Sequence, residues 1–155
     1  MNNENWEDNE TKTVRELRDK GDLFASFFLC SALIEHYCKT KLLIHLTDIR
    51  PMEIREVVDK RTKKTKKAFI WSDLKNIIWK TGLSQRRIME IGFLVNAWDF
   101  KLWKQLKKFN RKRNNLVHKH ERLLEILKED EKEVRDIIDL GLSLLHNIKL
   151  GYVKS

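Results

Sequence analysis

The chain has 155 residues, close to the size of one domain, and hydrophobic residues make up 41% of it, too many for a disordered protein. Its 32 Lys and Arg against 23 Asp and Glu give a net charge of +9, which favours a polyanionic partner, nucleic acid before an anionic membrane surface. With one Pro and five Gly, the composition favours long helices over sheets and predicts an all-α bundle of four to five helices.

The N-terminal part of the chain predicts a loose tail and two helices. Residues 1–10 are polar and acidic, unlike a signal peptide, and residues 11–155 are expected to form a single domain. A short helix is predicted from Thr11 to Lys20, and a long one from about Asp22, a good N-cap, to about Leu46. Charged residues interrupt the long helix, so it should lie in the core rather than span a membrane. Its apolar residues are Leu23, Phe24, Phe27, Phe28, Ala32, Ile34, Leu42 and Leu46.

The middle of the chain predicts two further short helices and no strand. Pro51 favours the start of a helix that runs to about Lys60. The basic run from Arg61 to Phe69 is interpreted as a charged loop. A helix from Asp73 to Thr81 should end at Gly82, since glycine is common just beyond helix C-termini.

The C-terminal half carries the longest helical periodicity. Ser84 is predicted to cap a stretch that forms either one helix to about Lys128 or two helices joined near Phe109 to Arg113. The last helix is predicted from Glu129 to about Ile148. The apolar stripe comprises Ile88, Ile91, Val95, Trp98, Leu102, Phe109, Leu116 and Leu123, followed in the last helix by Val134, Ile137, Ile138, Leu142, Leu145 and Ile148.

Cys30 and Cys38 fall in one predicted helix, about 12 Å apart along its axis, which exceeds the spacing that a disulfide tolerates. We therefore expect two buried thiols in the reducing cytoplasm. No C-x-x-C pair or other metal-ligand spacing occurs, so the sequence predicts no metal and no cofactor.

The segment that carries chemistry runs from Phe109 to His118. Arg113 is followed directly by Asn114, and four residues separate Arg113 from His118. This spacing resembles the R-x(4–6)-H signature of HEPN domains in its form R-N-x-x-x-H. The pattern A-S-x-x-x-x-S-A-L-I-E from Ala25 to Glu35 is similar to the first core helix of that family. The resemblance covers about residues 13–150, but only the motif is specific.

The resemblance implies an HEPN-like helical bundle that forms a homodimer, with the motif of each subunit facing a shared cleft. Many members cleave RNA without a metal, often as toxins or in defence against phage, and others are regulators or binding modules. It further implies that Arg113, Asn114 and His118 are the catalytic residues. In such cleavage the ribose 2′-OH attacks the neighbouring phosphorus, an imidazole moves protons, and a guanidinium stabilises the charge on the phosphorane.

Helix geometry leaves the identity of the motif arginine open. On a straight helix Arg113 and His118 would point about 140° apart, whereas Arg111 and His118 are seven residues apart and share a face. Arg113 and His120 have that same separation. Asn114, which directly follows Arg113, favours Arg113 as the partner of His118.

A wider RNA-binding surface is predicted around the motif from Lys108, Arg111 and Lys112, with Lys63, Lys64, Lys66 and Lys67 of the basic run. Four aromatic residues, Trp71, Trp98, Phe100 and Trp103, interleave with basic ones and could stack on bases, although core packing is the favoured interpretation. Glu35 lies in an otherwise apolar helix and is a candidate ion-pair partner for a motif arginine.

Two other functions stay open on the sequence alone. One is a non-catalytic HEPN-like module that binds RNA, a nucleotide, or a protein such as a nucleotidyltransferase-type antitoxin. The other is a helical regulator that binds DNA through its basic face. Signatures of other enzyme classes are missing from the sequence, including the P-loop, G-x-S-x-G and H-E-x-x-H.

Overall fold

A computed structural model describes residues 9–49, 54–58, 65–69, 76–79, 82–118 and 131–150. These residues are mostly helical, as the sequence predicts, and include one two-stranded sheet. In chain order the elements are α1 (Asn9–Asp19), α2 (Leu23–Ile49), β1 (Ile54–Val58), β2 (Thr65–Phe69), α3 (Gln85–Leu94), α4 (Phe100–His118) and α5 (Glu131–Leu150). The chain forms two compact units, one made of the chain up to Tyr37 and from Phe100 onward, the other spanning Cys38–Asp99. None of the helices in these ranges combines the length and apolar character needed to cross a bilayer.

The first unit is a helical bundle of α1, the first part of α2, α4 and α5. Helices α4 and α5 run antiparallel, because Asn147 of α5 donates a hydrogen bond to Gln105 near the start of α4, while Gly141 lies beside Phe109 further along. The inward positions predicted for the last helix are confirmed, since all six are buried. The core consists of Val14, Leu23, Phe27, Cys30, Leu33, Ile34, Leu102, Leu106, Phe109, Leu116, Val134, Ile137, Ile138, Leu142, Leu144, Leu145 and Ile148.

The predicted boundary between α1 and α2 is confirmed. Gly21 has a φ of 84°, a left-handed conformation that glycine adopts without strain, and it separates the two helices. Asp22 caps α2 by accepting a hydrogen bond from the backbone N–H of Ala25. Helix α1 begins at Asn9, so it takes in the last two residues of the predicted tail, and residues 1–8 lie outside the described part.

Not all of the apolar face predicted for α2 is buried. Phe24 and Phe28 are 45% and 39% exposed, and their rings contact each other at a tilt, with centroids 4.6 Å apart. Within the first unit, α2 turns the neighbouring face of the helix inward, with Phe27, Cys30 and Ile34 in the core. A helix with apolar residues on nearly every side cannot bury all of them against a single layer of neighbours.

Gly141 of α5 lies directly against the side chain of Cys30 in α2. A Cβ added at Gly141 would overlap the Cys30 sulfur and press on the Phe109 ring, so only glycine fits there. Burial, reinforced by the charge of Asp139, raises the pKa of the Cys30 thiol to about 12. Cys30 and Cys38 are both buried and neither forms a disulfide, which confirms the two buried thiols that the sequence predicts.

The middle of the chain, in the second unit, differs from the sequence prediction. The predicted helix from Pro51 is wrong over Ile54–Val58, and the predicted loop is wrong over Thr65–Phe69, because these segments pair as antiparallel strands. Ile54 lies opposite Phe69, and Val58 lies opposite Thr65. The IREVV sequence of β1 contains three β-branched residues, which favour strands, and this preference prevails over the helix-start signal of Pro51.

The predicted long helix after Ser84 is interrupted earlier than expected. Ser84 caps α3 as predicted, accepting a hydrogen bond from the N–H of Arg87, but α3 ends at Leu94. Asn96 then adopts a φ of 61°, and Trp98 folds back to donate a hydrogen bond to the Met89 carbonyl at 3.1 Å. The Trp98 indole occupies the space that a side chain at position 92 would need, so it packs directly on Gly92. The predicted junction near Phe109 to Arg113 is wrong, because α4 continues unbroken through these residues.

Candidate functional site

Helix α4 concentrates the positive charge of the chain. It contains seven Lys and Arg and no Asp or Glu in 19 residues, whereas the net charge of the whole chain is +9. Its apolar residues recur at helical spacing and are buried, namely Leu102, Leu106, Phe109 and Leu116. This pattern orients the helix, because burying one face in the core of the first unit turns most of the cationic residues outward.

One line of exposed side chains runs the length of α4. We call it the α4 stripe, and it consists of Phe100, Lys104, Lys107, Arg111 and His118. Viewed down the helix axis, all five side chains point within about 40° of their common mean direction. Lys101 and Lys108 flank the stripe and are also exposed, while Lys112 is half-buried at its edge. Of the predicted RNA-binding residues, Lys108 and Arg111 are thus on the solvent side of α4.

The cations of α4 have no counter-ions within the described part of the chain. No Lys or Arg of α4 forms an ion pair there. On other helices, exposed cations do pair with acidic residues four positions away, as in Lys12 with Glu16, Arg86 with Glu90, and Arg135 with Glu131. Within the described part of the chain, the stripe therefore presents cations to solvent without an ion pair, and exposed positive charge attracts polyanions.

Arg113 hydrogen bonds to Asn114 and points away from His118. Arg113 is half-buried, at the same angle as Leu102, Leu106 and Phe109, and its Nη1 donates a hydrogen bond to Asn114 Oδ1 at 3.4 Å. Because α4 is continuous, Arg113 points about 140° away from His118. Among the described residues, no hydrogen bond joins Arg113 or Asn114 to His118.

Arg111 is the guanidinium that shares a face with His118. Both side chains are exposed, and seven residues separate them, which corresponds to about 10 Å along the helix axis. Both side chains extend from the same surface, so a phosphodiester lying on α4 could contact the two together. His120, the other histidine considered from the sequence, lies outside the described residues.

The remaining predicted site residues are not brought to this face. Glu35 is half-buried on α2 and has contacts of its own, but within the described ranges it forms neither a hydrogen bond nor an ion pair with Arg111 or Arg113. Lys63 and Lys64 lie outside the described residues. Lys66 and Lys67 are in β2, which is described by its backbone, so their side chains also fall outside the description.

Two aromatic rings stand at the start of the α4 stripe. Phe100 is 53% exposed, and its ring centroid is 5.5 Å from that of half-buried Trp103. Lys104 Nζ lies 4.7 Å from the Phe100 centroid and Lys107 Nζ lies 4.4 Å from that of Trp103. The interleaving of aromatic and basic residues in the sequence indicated this pair. It also indicated Trp98, which is a core residue, and Trp71, which lies outside the described part.

The other groups able to carry chemistry lie elsewhere. His146 is exposed on α5. Because α5 runs antiparallel to α4, His146 lies beside the start of α4, about 20 Å along that helix from His118. In the second unit, His45 Nε2 lies 2.6 Å from the Val95 carbonyl and closes the end of α3. No group of three or more His, Cys, Asp or Glu side chains within the described ranges is placed to hold a metal ion.

Comparisons with models of known protein families, with curated proteins and with solved structures found no match to this chain.

Proposed function

We propose that the chain is a metal-independent endoribonuclease of HEPN type, in which His118 transfers protons and a guanidinium of the same helix stabilises the phosphate. The observation that carries the proposal is the shared exposed face of Arg111 and His118 on a helix whose cations have no described counter-ions. The RNA backbone is a polyanion, and its affinity for such a face comes from the release of counterions.

The reaction needs two proton transfers at one phosphorus. As the 2′-oxygen attacks, it gives its proton to a base, and the leaving 5′-oxygen takes a proton from an acid. The products are a 2′,3′-cyclic phosphate and a 5′-hydroxyl end. Imidazole serves as the base when neutral and as the acid when protonated, and it titrates close to physiological pH.

A second copy of the chain supplies the second imidazole in this proposal. In-line attack places the attacking and leaving oxygens on opposite sides of the phosphorus, so one His118 cannot serve both at once. The histidine of α5, His146, lies beside the start of α4, at the opposite end of that helix from His118. A two-fold homodimer that faces two α4 helices toward one cleft would provide two equivalent His118 side chains.

We assign the phosphate to Arg111 and a positioning role to Arg113. Arg111 is exposed and shares the side of His118, so its fork of N–H donors can reach a phosphate bound there. Arg113 is half-buried, points away from His118 and already donates a hydrogen bond to Asn114, so its guanidinium is less available to that phosphate. In this proposal Arg113 does not contact the phosphate and affects the reaction only by positioning the helix that carries His118.

The proposal is tested by incubating the purified protein with mixed RNAs in EDTA, beside His118→Ala and His146→Ala. His146→Ala is the matched control, because it also removes an exposed helical histidine from the same unit. We expect the wild type and His146→Ala to produce 2′,3′-cyclic phosphate ends in EDTA, and His118→Ala to lose at least a hundredfold in rate. Equal cleavage by His118→Ala, or loss of wild-type cleavage on chelation, would contradict the mechanism.

A non-catalytic RNA-binding module is the second candidate, and the α4 stripe supports it directly, since binding needs only the cations. In that case the wild type binds RNA but leaves no cyclic phosphate ends, and His118→Ala binds as tightly as the wild type. A toxin or defence role, with a nucleotidyltransferase-type antitoxin as partner, belongs to the first candidate. This role is tested by adding the antitoxin partner to the cleavage reaction, where it should suppress RNA cleavage.

A further inference from the structure

The start of α4 presents a flat aromatic surface in the middle of positive charge. Phe100 exposes 53% of its surface, unusual for a large apolar residue at the first position of a helix whose other apolar residues are mostly buried. Its ring lies 5.5 Å from Trp103 with 31° between the planes, close to an offset stack. The ring pair is thus preformed, with Phe100 at the surface and Trp103 half-buried behind it.

Two lysines already lie on these rings. Lys104 Nζ is 4.7 Å from the Phe100 centroid, and Lys107 Nζ is 4.4 Å from the Trp103 centroid. Cation–π contacts at exposed sites are weak, and neither lysine forms an ion pair with a described residue. An arriving nucleotide could therefore displace an ammonium from its ring and offer a phosphate to it instead.

We propose that Phe100, backed by Trp103, stacks on an unpaired base of single-stranded RNA, and that the strand then follows the α4 stripe toward His118. A base in a duplex is already stacked and paired, so the site selects single strands. Phe100 and His118 are separated by five full helical turns, about 27 Å, and they share a face. About eight nucleotides at stacked spacing would cover that distance, fewer if the strand is extended.

The course of the strand toward His118 rests on the proposed function, whereas the stacking site can be tested without cleavage. The probe is a fluorescein-labelled, single-stranded oligoribonucleotide about twelve nucleotides long, within the range of single-strand binding sites. Its riboses carry 2′-O-methyl groups, so no 2′-OH attack can occur. Affinity is measured by fluorescence anisotropy between about 50 and 200 mM KCl, with the duplex of the same sequence as comparison.

Phe100→Ala is expected to weaken single-strand binding by about fivefold to a hundredfold, the usual loss for one base–aromatic stack. Duplex binding should not change, and neither should the salt dependence, since Phe100 carries no charge. Phe100→Tyr should keep the affinity because it keeps the ring. Lys108→Gln should instead lower the slope of log affinity against log salt by about 0.7, because it removes one phosphate contact.

Phe24→Ala is the matched control, since Phe24 is an exposed phenylalanine of the same unit on α2. It should bind RNA as the wild type does. Wild-type affinity in Phe100→Ala, or an equal loss for single strand and duplex, would overturn the stacking site. So would binding to phosphatidylserine vesicles without binding to the oligonucleotide. Loss of single-strand affinity in Phe100→Ala, in a protein that cuts no RNA, would retain the stacking site and reject the nuclease.

Discussion

The guanidinium of Arg113, which points away from His118, donates a hydrogen bond to the side chain of its neighbour Asn114. Two arginines only two residues apart thereby have different surroundings, because Arg111 is exposed on the α4 stripe. The spacing of either arginine from His118 fits the HEPN-like signature, and Asn114 favours Arg113, whereas the geometry of α4 favours Arg111. A comparison of the two variants decides between them.

Arg111→Gln is expected to lower kcat/KM for RNA cleavage by about a hundredfold or more, the usual cost of removing a donor to a developing anion. Arg113→Gln should lower it by about tenfold at most and should also lower the melting temperature, since the half-buried side chain supports the end of α4. Cleavage rates and thermal melts of both variants provide the measurement. A larger loss of cleavage in Arg113→Gln, at an unchanged melting temperature, would assign the phosphate to Arg113.

Gly92→Ala is expected to destabilise the second unit by about 1–3 kcal/mol, the usual cost of overpacking. An added Cβ would overlap the indole of Trp98, which is 5% exposed and hydrogen-bonded to the Met89 carbonyl. The helix propensity gained by alanine offsets only part of this cost. Urea unfolding of the variant measures the difference.

The double variant Gly92→Ala with Trp98→Phe serves as its control. A smaller ring leaves room for the methyl group, so the two changes together should cost less than the sum of their separate costs. Strict additivity would mean that the indole and Gly92 do not compete for the same space.

The stability of the protein should fall with rising pH above about 9, in part through Cys30. Burial raises the pKa of this thiol from 9.0 to about 12, so over that interval the unfolded chain loses the thiol proton while the folded chain keeps it. Ionisation then favours the unfolded state, by up to about 1.4 kcal/mol per pH unit. Urea unfolding at pH 8 and at a pH near 10 should show a shallower decline for Cys30→Ala than for the wild type. Identical declines would remove Cys30 as a contributor.

The helices with strong local signals were predictable from the sequence. Asp22 and Ser84 are side chains that cap helices by accepting backbone N–H bonds, and both do so in the structure. The buried face of α5 follows directly from its apolar spacing. These features depend on residues close together in the chain, which is the information that periodicity and capping patterns contain.

The break after α3 and the hairpin were not predictable in this way. The helix ends because Trp98 folds back to Met89 and fills the space at Gly92. The apolar periodicity of the sequence continues across this break, so it gives no indication of it. In the hairpin, the pairing of Ile54 with Phe69 joins segments separated by a highly charged run. Both features depend on contacts between residues that local patterns treat separately.

The candidate site was predictable in its residue types but not in its orientation. The motif indicated His118 and two nearby arginines, while only a continuous α4 shows which arginine shares the exposed side of His118. The position of Phe100 at the start of that side depends in turn on where α4 begins.

The absence of acidic residues from α4 has a consequence for the stability of the helix itself. Lys104 and Lys108, Lys107 and Arg111, and Lys108 and Lys112 are each four residues apart, so like charges repel along successive turns, at about 0.2–0.5 kcal/mol for each pair. Cut out as a peptide, this segment would lack both the apolar support of α5 and any internal neutralisation, and it should unwind. Any polyanion that bound along α4 would relieve this repulsion, so the helix should become more stable when the polyanion is bound.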